Sequence, residues 1–350
     1  MEKIKNVYQK EPFIQLGTFF SFVIQSKSWP GYQCGVSENE FLNFHSEIQK
    51  SVLKNKWFSI EMIHFSLKNW SLSLTEKNIL KWLSRYNIVK KNKNVLIICA
   101  GNLPLVGFHD ILCCLLLGFN VQIKLSRKDD VLIPSIIKIL YFFDESIQKQ
   151  IHIITDKPYG YDYVIATGSD NSNRYFEYYF GKKPHIFRKN RTSIAVLNEE
   201  VEDKELLKLS HDILQYFGLG CRSVTKLYLP KGFSIEKLYK NLYIYKNLIN
   251  HNKYMNNYAY NRSINLLEEK QFYDNGFLIL KEDENLFSPV SVVNFEYYSE
   301  IKDLETKLDS LSNNIQCRVG LGGIPYGTAQ KPDLWDYADG VDTIDFLIKN

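Results

Sequence analysis

From Asn94 to Leu197 the chain alternates repeatedly between short apolar runs of strand length and segments of helical period, and this alternation narrows the fold more than any other feature. Asn94-Val-Leu-Ile-Ile-Cys99 reads as a buried strand, 108–117 as a helix and Asn120-Val-Gln-Ile-Lys-Leu125 as a second strand. The pattern continues with a helix at 133–143, strands at 152–155 and 163–166, a helix at 172–180 and a strand at 193–197. Strands separated by helices in this way predict an α/β fold with a doubly wound, mainly parallel sheet. The greasiest stretch, 95–123, is interrupted by Asn102, Pro104, His109 and Asp110, so it lacks the roughly 20 continuous apolar residues of a membrane-spanning helix.

Upstream, 38–85 has helical spacing (Phe41, Phe44, Ile48, Val52, Leu53; then Ile79, Leu80, Leu83), with caps at Ser37 and at Thr75 followed by Glu76. Downstream, the acidic run Glu199, Glu200, Glu202, Asp203 precedes a helix reaching Phe217. Residues 235–269 are helical in period, 291–295 read as a core strand, and 343–347 as a closing strand. The 350 residues suffice for two domains. The expected organisation is a helical lead-in at 1–90 packed on a first domain at 91–197, a second domain at 198–319, and a segment at 320–350 returning to the first domain or to an oligomer edge.

Charge excludes some partners. The 43 basic and 39 acidic residues are well mixed and leave a net charge of +4, without the basic tail or stripe of a nucleic-acid footprint. The six cysteines follow no Cys-x-x-Cys or Cys/His ligand spacing, and the start Met1-Glu-Lys-Ile-Lys-Asn6 leads into polar residues and not into the apolar core of a secretory signal. A reducing cytoplasm and no metal are expected. Asp333, Asp336, Asp339, Asp342 and Asp345 recur every third residue but match no oxygen-ligand loop pattern, and read as turn chemistry.

The chemistry centres on Cys221 in Phe217-Gly-Leu-Gly-Cys-Arg-Ser223. Flanking glycines let backbone and substrate come close to the thiol. Upstream, Cys99-Ala-Gly-Asn-Leu-Pro-Leu105 offers the amide of Asn102 to a developing oxyanion, and the pair suggests acyl chemistry through a thioester. Read locally, Cys221 also suits a buried core position and Asn102 a turn before Pro104.

Five blocks then occur in the order of one family: Ala100-Gly-Asn-Leu-Pro-Leu-Val-Gly-Phe-His-Asp110, Lys124-Leu-Ser-Arg-Lys-Asp129, Arg188-Lys-Asn-Arg-Thr-Ser-Ile-Ala-Val196, Gly220-Cys-Arg-Ser223 and Asp336-Tyr-Ala-Asp-Gly-Val-Asp342. In these the chain resembles the LuxC-type bacterial acyl-CoA reductases, a branch of the aldehyde dehydrogenase superfamily. The resemblance implies an aldehyde-dehydrogenase-like fold with a nicotinamide-binding domain and a catalytic domain. It also implies reduction of a long-chain acyl-CoA to the fatty aldehyde through an acyl-enzyme on Cys221. Asn102 would join the backbone N–H of the nucleophile in an oxyanion hole, where one amide donor is worth about 3 kcal/mol.

For the cofactor, the resemblance assigns Lys124 to the adenosine ribose. Ser126 lies in the same block, and Arg127 with Lys128 stands where NAD-preferring relatives often carry a glutamate, which favours NADPH. Thr167-Gly168-Ser169 resembles the superfamily's cofactor turn, although Asn173 replaces a later glycine. Glu284 would substitute for a ribose-binding glutamate displaced by Asn285. Hydrolytic aldehyde dehydrogenases place a water-activating glutamate upstream of the cysteine, where this chain has His185-Ile-Phe-Arg188 and no carboxylate. Acyl-protein synthetase as a partner and a homo-oligomer are further implications. Two other readings stay open: a Cys-dependent acyl hydrolase or acyltransferase without a nicotinamide, and a non-catalytic scaffold subunit of an acyl-processing complex.

Overall fold

Among the described residues, four α-helices precede the first strand: α1 (Glu11–Gln25), α2 (Glu38–Lys54), α3 (Ile60–Ser73) and α4 (Glu76–Leu83). Pro12 occupies the first turn of α1, where its missing N–H costs nothing. Ser37, Ser59 and Thr75 cap α2, α3 and α4 by accepting from the backbone N–H of Glu40, Met62 and Asn78. The computed structural model describes residues 9–88 and 92–350. The expectation for the first six residues, and the parts of the lead-in at 1–8 and 89–90, lie outside them.

Next come β1 (Asn94–Ile98), α5 (Phe108–Leu116), β2 (Asn120–Lys124), α6 (Leu132–Phe143), β3 (Ile151–Ile153), β4 (Tyr163–Thr167), α7 (Asp170–Phe180) and β5 (His185–Arg188). These strands form one parallel sheet in the order β3-β2-β1-β4-β5. Alternate residues divide its faces. Val95, Ile97, Val121, Ile123 and Ile165 join the core made with the N-terminal helices, α5 and α6, while Leu96, Val164 and Ala166 pack with Phe176 and Phe180 of α7. Burial on both faces is what makes β1 and β4 nearly continuous apolar runs.

The chain continues with β6 (Thr192–Val196), α8 (Asp203–Leu214), β7 (Val224–Pro230), α9 (Ile235–Leu242), α10 (Asn252–Leu267), β8 (Tyr273–Asp274), β9 (Ile279–Glu282), β10 (Val292–Tyr298), α11 (Ile301–Leu311), β11 (Ile315–Gly320) and α12 (Thr343–Lys349). The second sheet runs β11-β6-β7-β10-β9-β8 and is parallel except for the β8–β9 pair. β6 therefore pairs in the second sheet, not in the first where the sequence pattern had grouped it. Two units result: one running to Lys189 and joined by Asp333–Asn350, the other Asn190–Pro332.

Residues 343–347, expected as a strand, are helical: Asp342 caps α12 by accepting from the N–H of Asp345, and Ile344 and Leu347, three apart, are both buried. Five residues cannot separate a period of 2 from one of 3.6 when both ends are apolar. The spaced aspartates do turn and tether work. Asp336 accepts from Asp333 N at 3.0 Å, Asp339 from Lys189 N at 2.9 Å, and Asp342 also takes the Tyr86 hydroxyl at 2.5 Å. Among the described residues, no group of three or more acidic, His or Cys side chains could hold a metal ion, and no helix is long and apolar enough to cross a membrane.

Candidate functional site

In the first unit the candidate cofactor residues other than Glu284 gather at the carboxyl ends of β2 and β4, which flank β1. Strand order reverses at β1, and such a crevice is where open α/β sheets bind ligands. Arg127 and Lys128 are exposed. Lys124 is half-buried, with Nζ donating to the Asp156 carbonyl at 3.2 Å. Ser126 Oγ accepts from Lys128 N at 3.2 Å, which folds the loop on itself. After β4, Thr167 and Gly168 are half-buried, and Ser169 caps α7 by accepting from Ser172 N. The start of α7 thus presents backbone N–H groups beside the sheet edge. Asn173, standing for the expected glycine, donates to the Arg188 carbonyl at 3.1 Å and ties α7 to β5.

The turn carrying Asn102 lies in the same region, with Asn102 itself exposed. Its backbone is fixed by Asn55 and Asp129. Asn55 Nδ2 donates to the Gly101 carbonyl at 3.2 Å, and buried Asp129 accepts from Leu105 N at 3.1 Å. Leu105 has φ 64°, a conformation that costs a non-glycine residue about 1–2 kcal/mol and needs such an anchor. At Gly101 a Cβ would meet Ser126 Oγ at 2.7 Å, so glycine lets the Asn102 turn close against the Lys124–Lys128 loop. Burial pushes the Asp129 carboxyl up to about 6.

His109 is a packing residue. One ring nitrogen bonds the Leu334 carbonyl at 2.8 Å, and the ring lies against Trp82 and Tyr337. Its neighbour Asp110 is buried in an ion pair with Arg188.

In the second unit Cys221 is half-buried in the connection between α8 and β7. This connection is conformationally strained. Tyr216 (φ 56°), Phe217 (φ 60°), Gly218 (φ 72°) and Gly220 (φ 92°) are all left-handed, and non-glycine residues held so cost of order 1–3 kcal/mol each. The Phe217 ring lies 4.2 Å from that of His251. Ser223 closes the turn, its N–H donating to the Gly220 carbonyl at 3.1 Å and its hydroxyl to the Leu219 carbonyl at 2.7 Å. Arg222 donates to the Ala329 carbonyl at 3.4 Å.

The loop that receives Arg222 is itself held by Asp212 of α8. This fully buried carboxylate accepts from Gly327 N at 2.6 Å and Ala329 N at 2.9 Å. Burial raises its pKa to about 6, from the ordinary 3.8, against the opposing pull of those two bonds. A raised folded-state value means the fold binds this proton more tightly than the unfolded chain does. The contribution of Asp212 to stability therefore falls as pH rises from about 4 to 6 and is level above that. The expected outcome is that the stability gap between wild type and Asp212→Asn narrows by up to about 3 kcal/mol between pH 4 and 7, measured by urea unfolding. A pH-independent gap would contradict this.

Glu284 is exposed in the connection between β9 and β10. Its neighbour Asn285 is turned onto Asp283, donating through both N and Nδ2 at 2.9 and 2.7 Å. The structure thus brings Asn102, Lys124, Ser126, Arg127, Thr167, Gly168 and Ser169 into the first unit, and Cys221 and Glu284 into the second.

These two mainly parallel sheets with their helices define an aldehyde-dehydrogenase-like α/β fold. A putative aldehyde dehydrogenase from Burkholderia cenocepacia superposes with a TM-score of 0.62 at 11% identity, over 91% of this chain and 75% of that one. An indole-3-acetaldehyde dehydrogenase complexed with NAD+ gives 0.61 at 12% identity, over 89% and 71%. An NAD-dependent aldehyde dehydrogenase from Sinorhizobium meliloti gives 0.60 at 9%, over 89% and 69%. At such identities the likeness is one of fold. No protein-family model and no curated protein matches the chain.

Proposed function

We propose that this protein reduces a long-chain acyl-CoA to the fatty aldehyde with NADPH, in the cytoplasm, by way of a thioester on Cys221. The observation that carries the reading is the half-buried thiol in a strained, glycine-flanked turn between a helix and a central strand of an aldehyde-dehydrogenase-like fold. The Cys221 thiolate attacks the thioester carbonyl, the carbon–sulfur bond to CoA breaks, and CoA leaves as its thiolate. Asn102 and the Cys221 N–H are the proposed donors to the oxyanion. The nicotinamide, when bound, supplies the hydride, after which the thiohemiacetal on Cys221 expels the aldehyde and regenerates the thiol.

The residues present fit a nicotinamide dinucleotide. Lys124, Arg127 and Lys128 supply cationic donors at the strand-order reversal, and the α7 start supplies N–H groups suited to a diphosphate. Ser126, Thr167, Gly168 and Ser169 would line the same edge, and Glu284 is proposed as a ribose ligand. Arg127→Glu should then lower kcat/KM for NADPH about tenfold or more, through loss of a charge-assisted contact to the 2′-phosphate, and leave NADH within about twofold. Equal losses with both cofactors would remove Arg127 from that role.

Reduction is favoured over hydrolysis because His185–Arg188, where a water-activating glutamate would stand, forms strand β5 and carries no carboxylate. The histidines of the second unit also have structural duties. His211 Nδ1 bonds the Tyr245 hydroxyl at 2.8 Å, and His251 Nδ1 accepts from Tyr254 N at 3.2 Å. An acyl-protein synthetase partner and a homo-oligomer complete the proposal. The test is loss of NADPH absorbance with tetradecanoyl-CoA and appearance of aldehyde. CoA release with NADPH untouched would point instead to a hydrolase or transferase.

A further inference from the structure

Thr192-Ser-Ile-Ala-Val196 belongs to the blocks that carry the family resemblance, yet the chemistry above gives it no task. In the structure it is β6, and Ser193 is fully buried in it. The ladders on both sides of this residue are irregular. Against β7 the register slips between Ser193 and Ile194, and against β11 it slips between Ile315 and Arg318, the stretch that holds Cys317. Bulges of this kind re-aim side chains and recur beside active sites. Here the Ser193 hydroxyl donates to the carbonyl of Cys221 at 2.9 Å, and the Cys317 sulfur lies 3.0 Å from the same hydroxyl oxygen. Ser193 N also donates to the Ser223 carbonyl at 3.3 Å, so one residue of β6 grips the Cys221 turn at two points.

Hydrogen counting fixes the directions. A serine hydroxyl has one proton, and the carbonyl of Cys221 can only accept, so Ser193 donates there and its lone pair receives the Cys317 S–H. The result is a directed chain, Cys317 S–H to Ser193 O–H to Cys221 carbonyl. A pinned carbonyl fixes the backbone torsion following the Cys221 Cα, and with it where the thiol stands relative to the sheet.

We propose that Ser193 is a positioning residue for Cys221, holding the nucleophile's peptide plane against the second sheet, with Cys317 orienting the Ser193 hydroxyl. This rests on the reading of Cys221 as the acyl-accepting thiol. It assigns no contact of Ser193 or Cys317 with substrate.

The test is the rate at which Cys221 becomes acylated when the protein is mixed with tetradecanoyl-CoA without nicotinamide, followed by quenched-flow and intact mass. Displacements near 1 Å can cost about 100-fold in rate. Ser193→Ala should lower the acylation rate constant about 10-fold or more at saturating acyl-CoA, with the half-saturating concentration within about twofold of wild type. Ser193→Cys, a weaker donor of similar size, should fall between, and Cys317→Ala should lose about threefold, a fraction of the serine's effect. A merely structural role would reduce the amplitude, that is the folded fraction, and leave the rate constant unchanged. Wild-type rate constants in Ser193→Ala overturn the proposal. If that variant does not fold, wild-type rate constants in both Ser193→Cys and Cys317→Ala overturn it. A wild-type protein that never acylates at Cys221 removes both the nucleophile reading and this one, whereas rapid wild-type acylation matched by the variants removes only this one.

Discussion

Cys221→Ala is expected to abolish acyl reduction, with a loss of at least about 10⁴-fold in kcat, while leaving the thermal midpoint within a few degrees of wild type. The size follows from the mechanism: without the thiol no acyl-enzyme forms, and what remains is the catalysis that binding and oxyanion donors give to direct attack. Retained folding follows from position. Cys221 is half-buried in a connection, so truncation to alanine removes one sulfur and leaves the Ser193 and Ser223 hydrogen bonds that hold the turn. A variant that kept a tenth of the activity would exclude a covalent role for this residue.

The second large effect concerns stability. Asp110→Ala should destabilise the first unit by about 3–5 kcal/mol, read by urea or thermal unfolding. Asp110 Oδ1 lies 2.5 Å from Arg188 Nη2, and both side chains are nearly sealed from solvent, at 5% and 6% exposure. Removing one partner strands a buried guanidinium, and that desolvation exceeds what the intact pair contributes. Arg188 also donates to Thr343 Oγ1 at 3.0 Å and to the Ala338 carbonyl at 2.7 Å, so it fastens the C-terminal segment to β5 and α5. Replacing both partners together, as Asp110→Leu with Arg188→Met, should recover much of the loss, because no unpaired charge then remains. A double variant as unstable as the single one would show that the tether, and not the stranded charge, dominates.

That network also shows what the sequence could and could not disclose. His109-Asp110, Arg188 and the spaced aspartates were visible as motifs, but their meeting joins positions more than two hundred residues apart, as in the 3.2 Å bond from Thr343 to Asp110. The strands β1 and β4 were legible because burial on both faces leaves nearly continuous apolar runs, and β2 because Val121 and Ile123 alternate with polar neighbours. β7 was not, since Lys226 at its centre is fully buried beside Glu296 of β10 at 2.6 Å, a pairing that linear sequence conceals. Helix α1 falls inside the helical lead-in expected at 1–90 but had no bounds there, although Phe13, Leu16, Phe20 and Val23 mark a helical face behind Pro12. The sequence showed β6 to be a strand but not its partners, which only sheet pairing could settle. Asp129, Asp212 and Ser193 act through hydrogen bonds to backbone groups distant in sequence, and such bonds leave no local pattern.

The measurement that tests the central claim most directly is peptide mass mapping after mixing the protein with tetradecanoyl-CoA, before and after addition of NADPH. The account predicts one tetradecanoyl group on the peptide containing Cys221, discharged as tetradecanal when NADPH is added. An unmodified Cys221, or an acyl group that NADPH leaves in place and water releases as the acid, would contradict it.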